Sequence, residues 1–394
     1  MINTNGNSSI TAHHVRSWIS SVSPCLSPKH DIQDQDFDFR YDEYDDQMES
    51  PQTSRSIQSK KSLTDLQLRI HLDENGLIID NAGAQIPDEI RPLVNTILAR
   101  GQDPLSNQDH VNIRKMLLKF WNDNEDTALP SILLSPLLAV NHEDIKVCNN
   151  RLWSSAPVPR SRIWPTPIIT PKTDVHYGFC REIFSKAEKV FIFHPDNDPY
   201  CVPTGVDIFP SFLVEAKSEA CQGTIYKAES QLAVAGAHRG NSMRHLMEMG
   251  PPNMNFQTLD SVVFSLALSP RLAVSYVHFH IPGTEKYHMS FLDSYYLIKD
   301  EDQSKCRQYL DKVINWMTNE QEKRMKKILG DIIEFQEQES ARKRIRLDVA
   351  HNKYQDLNVK QLHDQLKARG IPAPKSHVKK DRLIRLLEDA DSSQ

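Results

Sequence analysis

The sequence lacks several features that define common classes of protein. It has no run of about 18 apolar residues, so no transmembrane helix is expected. Residues 1–31 contain no continuous apolar stretch of the kind that a signal peptide needs. Its 6 cysteines include no C-x-x-C pair, which excludes a zinc knuckle and a disulfide framework. No glycine-rich phosphate loop follows a strand pattern. These absences favour a soluble intracellular protein with reduced thiols.

An excess of positive charge is also missing. The 394 residues contain 47 Lys and Arg against 52 Asp and Glu, a formal net charge of −5. This balance excludes a uniformly basic nucleic-acid coat, but it permits a local basic site. The length allows two or three folded units, at roughly 100–200 residues per domain.

Composition changes along the chain predict five regions. Residues 1–60 are rich in acids and poor in aliphatic side chains, so we expect a disordered acidic tail. Residues 61–150 carry apolar side chains at helical spacing and predict a helical subdomain. An α/β domain is expected over 151–318, a charged helical linker over 319–350, and a small helical module over 351–394.

The α/β domain is predicted from its sequence of apolar patterns. These patterns predict a helix at Tyr177–Lys189, strands at 190–193 and 206–217, a helix at 224–248, strands at 262–268, 272–281 and 287–298, and a helix from Asp302. Such an order predicts a central mixed sheet flanked by helices.

The most suggestive chemistry lies on the second of these strands. Glu215 and Lys217 are two residues apart, so they share one face of a strand. Asp207 lies eight residues earlier, across the Phe209-Pro210 bend, where its carboxylate could reach Glu215. Paired carboxylates suit Mg²⁺ or Mn²⁺, which would polarise a phosphodiester. The alternative is a solvated surface pair of Glu215 and Lys217, worth about 0–1 kcal/mol.

This arrangement resembles the PD-(D/E)xK nuclease superfamily, and specifically the nuclease-like domains widespread in fungal proteins. The resemblance covers about residues 174–300 and implies a restriction-endonuclease-like fold. It implies that Asp207 and Glu215 are metal ligands, that Lys217 is the catalytic lysine, and that Gln231 and Glu182 are accessory residues.

The Pro-Asp dipeptide of that superfamily is absent before Asp207, because Asp207 follows Val206. The spacing between Asp207 and Glu215 is also short. Asp196, which follows Pro195, and Asp198 are therefore rivals for the aspartate role. Asp207 is preferred because it lies nearest the strand that presents Glu215.

The C-terminal residues predict two short amphipathic helices, with Asn358 as the N-cap of the first and Gly370 after its end. This pattern resembles the SAP motif, a DNA-binding helix-extended-helix module. The matching residues are Leu357, Leu362, Leu366, Arg369, Gly370, Ile371, Lys379, Leu383, Ile384 and Leu387. The segment between Gly370 and Lys379 is longer than in the usual motif and lacks its glycine.

A positive rim on this module would neutralise phosphates and release counterions. Its members are Lys367, Arg369, Lys375, Lys379, Lys380 and Arg382. The sequence thus predicts a metal-dependent DNA nuclease bound to duplex DNA with little sequence specificity. The alternatives are an inactive nuclease fold acting as a DNA or chromatin adaptor, and a protein-interaction factor that works through its acidic tail. Basic clusters at 323–327 and 342–346 predict nuclear residence, and no membrane association is expected.

Overall fold

A computed structural model describes residues 65–102, 104–123, 125–159, 168–218, 223–372 and 378–392. All of these residues belong to one compact unit. The predicted acidic tail over residues 1–60 lies outside the described residues.

One mixed sheet organises the described part of the chain. Its strands are β1 Leu77–Asp80, β2 Ile145–Asn149, β3 Val175–Phe179, β4 Ile208–Ala216, β5 Val263–Leu268, β6 Leu272–His280 and β7 Tyr287–Tyr296. The strand order is β1-β7-β6-β5-β4-β3-β2. The pairs β1/β7 and β4/β5 are parallel, and the other neighbours are antiparallel. The expectation of an α/β fold with a mixed central sheet is confirmed.

Helices lie on both faces of the sheet. They are α1 Asp65–Glu74, α2 Arg91–Leu98, α3 Asn107–Asn122, α4 Glu125–Leu133, α5 Lys186–Ile192, α6 Asp198–Cys201, α7 Ile225–Glu248, α8 Asp300–Trp316, α9 Glu322–Gln355, α10 Val359–Ala368 and α11 Lys380–Ser392. Two 3₁₀ turns span Arg181–Ile183 and Thr258–Ser261, and a π turn at Met317–Gln321 joins α8 to α9.

Alternation along β4 divides its side chains between two hydrophobic cores. Phe212, Val214 and Ala216 join the larger core, which also contains apolar residues of α2, α3, α8 and the first half of α9. Leu213 joins the smaller core beneath α7. Because side chains alternate along a strand, Glu215 lies on the same face as Leu213. The candidate site is therefore on the α7 face of the sheet.

The sequence predicted the C-terminal half of the sheet well. Strands β4 to β7 and helix α7 lie where they were expected, and Thr224 caps α7 by accepting from the backbone N–H of Lys227. The helix predicted at Tyr177–Lys189 and the strand predicted at 190–193 were wrong. Strand β3 and a 3₁₀ turn occupy most of the first segment, and α5 begins only at Lys186 and continues through the apolar run Val190–Ile192. A short apolar run fits either a buried strand or a helix.

The region 61–150 contributes more than helices. It contains α1 to α4, as expected of a helical subdomain, but β1 and β2 from this region are the two edge strands of the sheet. Residues of α2 and α3 share the larger core with β3 and β4. The prediction of a separate subdomain missed these strands, because a run of four or five residues is too short to show a period.

The C-terminal module has a small core of its own. Tyr354, Leu362, Leu366, Leu383, Ile384 and Leu387 are buried together. Asn358 caps α10 by accepting from the backbone N–H of Gln361, as the sequence predicted. Gly370 follows α10 with φ +69°, the left-handed conformation expected after a helix end.

Acid should destabilise the fold through buried histidines such as His278. His278 lies on β6 with its Nε2 2.7 Å from Ser265 Oγ, and burial lowers its pKa to about 3. An unfolded histidine has a pKa of about 6.5. Between these values the unfolded chain binds a proton that the folded chain does not. Stability should therefore fall as the pH drops from 6.5 towards 3, by up to about 1.4 kcal/mol per pH unit.

Denaturant unfolding at several pH values below 6.5 measures this slope. We expect His278→Gln to show a shallower slope than the unsubstituted protein. The control is His194→Gln, since His194 is exposed and should leave the slope unchanged. Equal slopes for His278→Gln and the unsubstituted protein would rule out this role for His278.

Candidate functional site

Three charged side chains converge where β3 begins and β4 ends. Lys217 Nζ lies 2.6 Å from Glu215 Oε1 and 3.9 Å from Asp174 Oδ2. Glu215 is fully buried, whereas the side chains of Lys217 and Asp174 are 9% and 18% exposed. The alternative of a solvated surface pair is therefore wrong for Glu215 and Lys217. Of the three side chains, Asp174 has the largest exposed fraction.

The register of the sheet brings Asp174 to this point. β3 and β4 are antiparallel, and Val175 pairs with Val214. Asp174 immediately precedes this pair, so it lies alongside Glu215. Its carboxylate accepts from the backbone N–H of Ala216 at 2.7 Å, and its own N–H donates to Glu215 Oε2 at 3.3 Å. Both acids are thus held in place by backbone hydrogen bonds.

The end of β4 is fixed from two sides. The backbone N–H of Lys217 donates to the carbonyl of Leu268 at 2.8 Å, so pairing with β5 continues past the end of the strand. The next residue, Ser218, donates from its hydroxyl group towards the carbonyls of Phe120 and Asp123 at the end of α3. These contacts restrict the backbone that carries the lysine.

Electrostatics at the site favour a cation. Burial and the neighbouring charge of Asp174 raise the pKa of Glu215 to about 8, although Lys217 opposes this shift. A pKa of about 8 leaves Glu215 largely protonated at neutral pH, so the cluster becomes net negative only when both carboxylates are ionised, and a bound divalent cation would stabilise that form. Hard oxygen donors in such a setting suit Mg²⁺ or Mn²⁺.

Asp207 does not share this cluster, which corrects the expectation that it meets Glu215. A Cβ at Gly178 would lie 2.5 Å from Asp207 Oδ2, so the carboxylate covers Gly178. The hydrogen-bond partners of Asp207 Oδ1 are His176 and Thr204. Glu215, the other predicted metal ligand, lies beside Asp174 instead.

The other predicted site residues lie apart from the cluster. Glu182 is exposed in the 3₁₀ turn after β3 rather than in a helix, and Gln231 is exposed on α7. Among the described contacts none joins either residue to Glu215 or Lys217. The rivals also lie elsewhere, since Asp196 is exposed beside His194 and Asp198 begins α6.

Sequence reasoning missed Asp174 because the following residues were interpreted as a helix. Two signals were present. Residues 175–179 read Val-His-Tyr-Gly-Phe, an apolar alternation broken by one glycine, which is typical of a strand. Ser185 and Glu188 form a capping box that starts α5 after this segment. Together they place a strand directly after Asp174.

The basic residues of the C-terminal module have different surroundings. Lys367, Lys379 and Arg382 are exposed, and Lys380 donates to the carbonyl of Gln355. Arg369 is paired with Asp391 and donates to Tyr354 Oη at 2.8 Å, so it helps to hold the module together. Lys375 lies outside the described residues.

A family model described as Domain of unknown function (DUF7924) matches residues 113–329, which is more than half of the chain. The chain belongs to this family. The DUF7924 match begins in α3, ends in α9, and includes Asp174, Glu215 and Lys217. No curated protein matches the chain.

The described helices include none that is both long enough and apolar enough to span a bilayer. The longest of them, α9, carries many charged side chains between Glu322 and Arg344, including the basic cluster at 323–327.

Proposed function

We propose that the DUF7924 domain of this chain is a Mg²⁺-dependent DNA nuclease and that the C-terminal module tethers it to duplex DNA. The observation that carries the proposal is the convergence of Asp174, Glu215 and Lys217 at the ends of two paired strands. It replaces Asp207 with Asp174 in the arrangement that resembles the PD-(D/E)xK superfamily. A restriction-endonuclease-like fold is part of the same proposal.

The donor set fits a hard divalent cation. Asp174 and Glu215 offer carboxylate oxygens that are already oriented by backbone hydrogen bonds. When bound there, Mg²⁺ would neutralise phosphate charge and lower the pKa of a coordinated water. Burial, and after it the charge of Asp174, raises the pKa of Glu215, and a divalent ion bound there would oppose both effects by stabilising the ionised carboxylate.

Lys217 is the remaining functional group. Its ammonium group contacts Glu215 and lies close to Asp174, so it can orient the attacking water and stabilise charge on the phosphate oxygens. In the hydrolysis the oxygen of water bonds to phosphorus, the ester P–O bond breaks, and the departing oxygen gains a proton. Lys217 can therefore assist both the attack of the water and the stabilisation of the phosphate oxygens.

The C-terminal module would supply affinity rather than chemistry. Its exposed Lys367, Lys379 and Arg382 can contact phosphates, and tethering raises the local concentration of DNA at the active site. The exposed residues Arg342, Lys343 and Arg344 on α9 support nuclear residence as a further part of the proposal.

Cleavage of supercoiled plasmid by the full-length protein tests the proposal. We expect nicking with Mg²⁺ or Mn²⁺ and none with a chelator. Glu215→Gln should lower the rate by about 100-fold, because an uncharged amide is a weaker ligand for the ion. Glu248→Gln is the matched control, since Glu248 is exposed at the end of α7. An intact plasmid under conditions where the protein binds DNA would refute the nuclease.

One observation favours the alternative of a DNA-binding adaptor with an inactive nuclease fold. Glu215 is fully buried, and the side chains of Lys217 and Asp174 are only 9% and 18% exposed, so the three groups present little surface to a scissile phosphate. The adaptor predicts that Glu215→Gln and the unsubstituted protein bind DNA equally and that neither cleaves it. The same plasmid assay, run beside a binding assay, distinguishes the two functions.

A further inference from the structure

A second polar cluster lies on the same face of the sheet. Cys148 on β2 and His176 on β3 are paired residues, and Asp207 immediately precedes β4. One ligand atom from each of the three lies within 4.8 Å of the other two. All three side chains are buried.

A distortion of the sheet brings Asp207 into this cluster. Tyr177 pairs with Phe212 but Phe179 pairs with Ile208, so β4 contains a bulge relative to β3. Phe209 within the bulge has φ +51°. Because of the bulge, Ile208 pairs with Phe179, and Asp207 lies next to β3. Gly178 has no side chain, so the Asp207 carboxylate can occupy the space above it. A residue with a Cβ at 178 would displace that carboxylate.

The donors are oriented for a ligand. Asp207 Oδ2 is buried with no hydrogen-bond partner among the described residues. His176 Nε2 lies 3.2 Å from Asp207 Oδ1, while its Nδ1 lies 3.1 Å from Thr173 Oγ1. A metal-bound histidine commonly donates its other ring N–H to an oxygen in this way, which fixes the ring.

The same three residue types also occur in cysteine-hydrolase triads, but the geometry here differs. In a triad the thiol and the carboxylate lie at opposite edges of the imidazole ring. Here Cys148 and Asp207 are within 4.8 Å of each other as well as of His176. Donor atoms that converge on one point fit a single ion rather than a proton relay.

We propose that Cys148, His176 and Asp207 bind one Zn²⁺ ion, which braces β2, β3 and the start of β4. A thiolate and an imidazole select Zn²⁺ over Mg²⁺. Zinc–ligand bonds of about 2.0–2.3 Å place tetrahedral donors roughly 3.5 Å apart, so a small contraction of the cluster is sufficient. Three protein ligands leave the fourth position to water. The proposal does not depend on the nuclease.

The proposed zinc ion would also help to fix the position of Asp174 in the candidate active site. His176 is two residues from Asp174 on β3, so both side chains lie on one face of that strand. An ion held by His176 would restrict the strand that presents Asp174. The zinc ion would thus support the position of the acid without touching the substrate.

Metal binding by the full-length protein is the first test. After removal of metal with a chelator, we expect one Zn²⁺ per chain to bind and to raise the melting temperature, and Mg²⁺ not to replace it at this site. Co²⁺ in place of Zn²⁺ should give the absorption bands of a tetrahedral ion with a thiolate charge-transfer band. If the protein binds neither Zn²⁺ nor Co²⁺ stoichiometrically, the inference is wrong.

Single substitutions identify the ligands. Cys148→Ser should abolish the thiolate band and weaken Zn²⁺ binding by more than about 100-fold, whereas Thr173→Val, which removes only a hydrogen bond, should weaken it by about 10–100-fold. Cys306→Ser is the matched control, since Cys306 is a buried cysteine on α8. A thiolate band that survives in Cys148→Ser would overturn the assignment. If Cys148→Ser does not fold, metal binding by the unsubstituted protein and by Thr173→Val still tests the zinc site.

The same spectra separate this inference from the nuclease. Glu215→Gln should retain the Co²⁺ spectrum unchanged, because Glu215 is not a ligand at this site. Loss of cleavage with an intact cobalt spectrum affects only the proposed function. An absent cobalt spectrum in a protein that still cleaves DNA with Mg²⁺ contradicts only the zinc site.

Discussion

Asp174→Ala is expected to lower the Mg²⁺-dependent cleavage rate by about 1,000-fold, a loss of roughly 4 kcal/mol of transition-state stabilisation. The reason is that the carboxylate of Asp174 contacts the backbone of Ala216 beside Glu215 and lies within 3.9 Å of Lys217. Asp207→Ala should retain cleavage within about tenfold, because the Asp207 carboxylate contacts His176 and Thr204 and is not part of the proposed Mg²⁺ site.

The measurement is the initial rate of plasmid nicking at saturating Mg²⁺, with DNA affinity determined in parallel. Both variants remove a carboxylate from the same face of the sheet, so each serves as the control for the other. Melting temperatures establish that both are folded at the assay temperature. If cleavage is lost in Asp207→Ala and retained in Asp174→Ala, the metal ion is bound by Asp207 and our assignment of Asp174 is wrong.

The second large effect is expected in DNA binding. A variant carrying Lys367→Gln, Lys379→Gln and Arg382→Gln should bind duplex DNA on the order of 10–100-fold more weakly at low salt. These three side chains are exposed, and the module that carries them has its own apolar core. If each contacts one phosphate, the slope of log affinity against log salt should fall by roughly three.

Fluorescence anisotropy with a labelled duplex over a range of salt concentrations measures both quantities. The control replaces Arg100, Lys115 and Lys186 with glutamine, which removes the same formal charge from exposed positions outside the module. We expect the control to keep nearly the full slope. Equal losses in the two triple variants would mean that net charge, and not the C-terminal module, determines binding.

Arg369 illustrates why the module could be predicted only in part. From its charge and its position after α10, the sequence predicted that Arg369 contacts DNA. Its guanidinium group instead pairs with Asp391 and Tyr354, which are respectively 22 and 15 residues away in sequence. The apolar positions Leu362, Leu366 and Leu383 could be read from helical spacing alone, because that pattern is local.

The same distinction separates the predicted and the missed parts of the α/β domain. Glu215 and Lys217 are two residues apart, so the alternation of one strand sufficed to place them on one face. Asp174 joins them only through the pairing of β3 with β4, across 41 residues of chain. The grouping of Cys148 with Asp207 requires pairing between three strands and a bulge. No periodicity in a single sequence records such a register.

The edge strand β1 has a consequence for any attempt to isolate the region that the family model matches. β1 spans Leu77–Asp80 and pairs in parallel with β7, yet it precedes the matched region, which begins at residue 113. A fragment cut at 113 and 329 would expose the outer backbone amides and carbonyls of β7. Such uncovered edges promote aggregation between molecules. A soluble fragment should therefore begin before β1, at the start of α1.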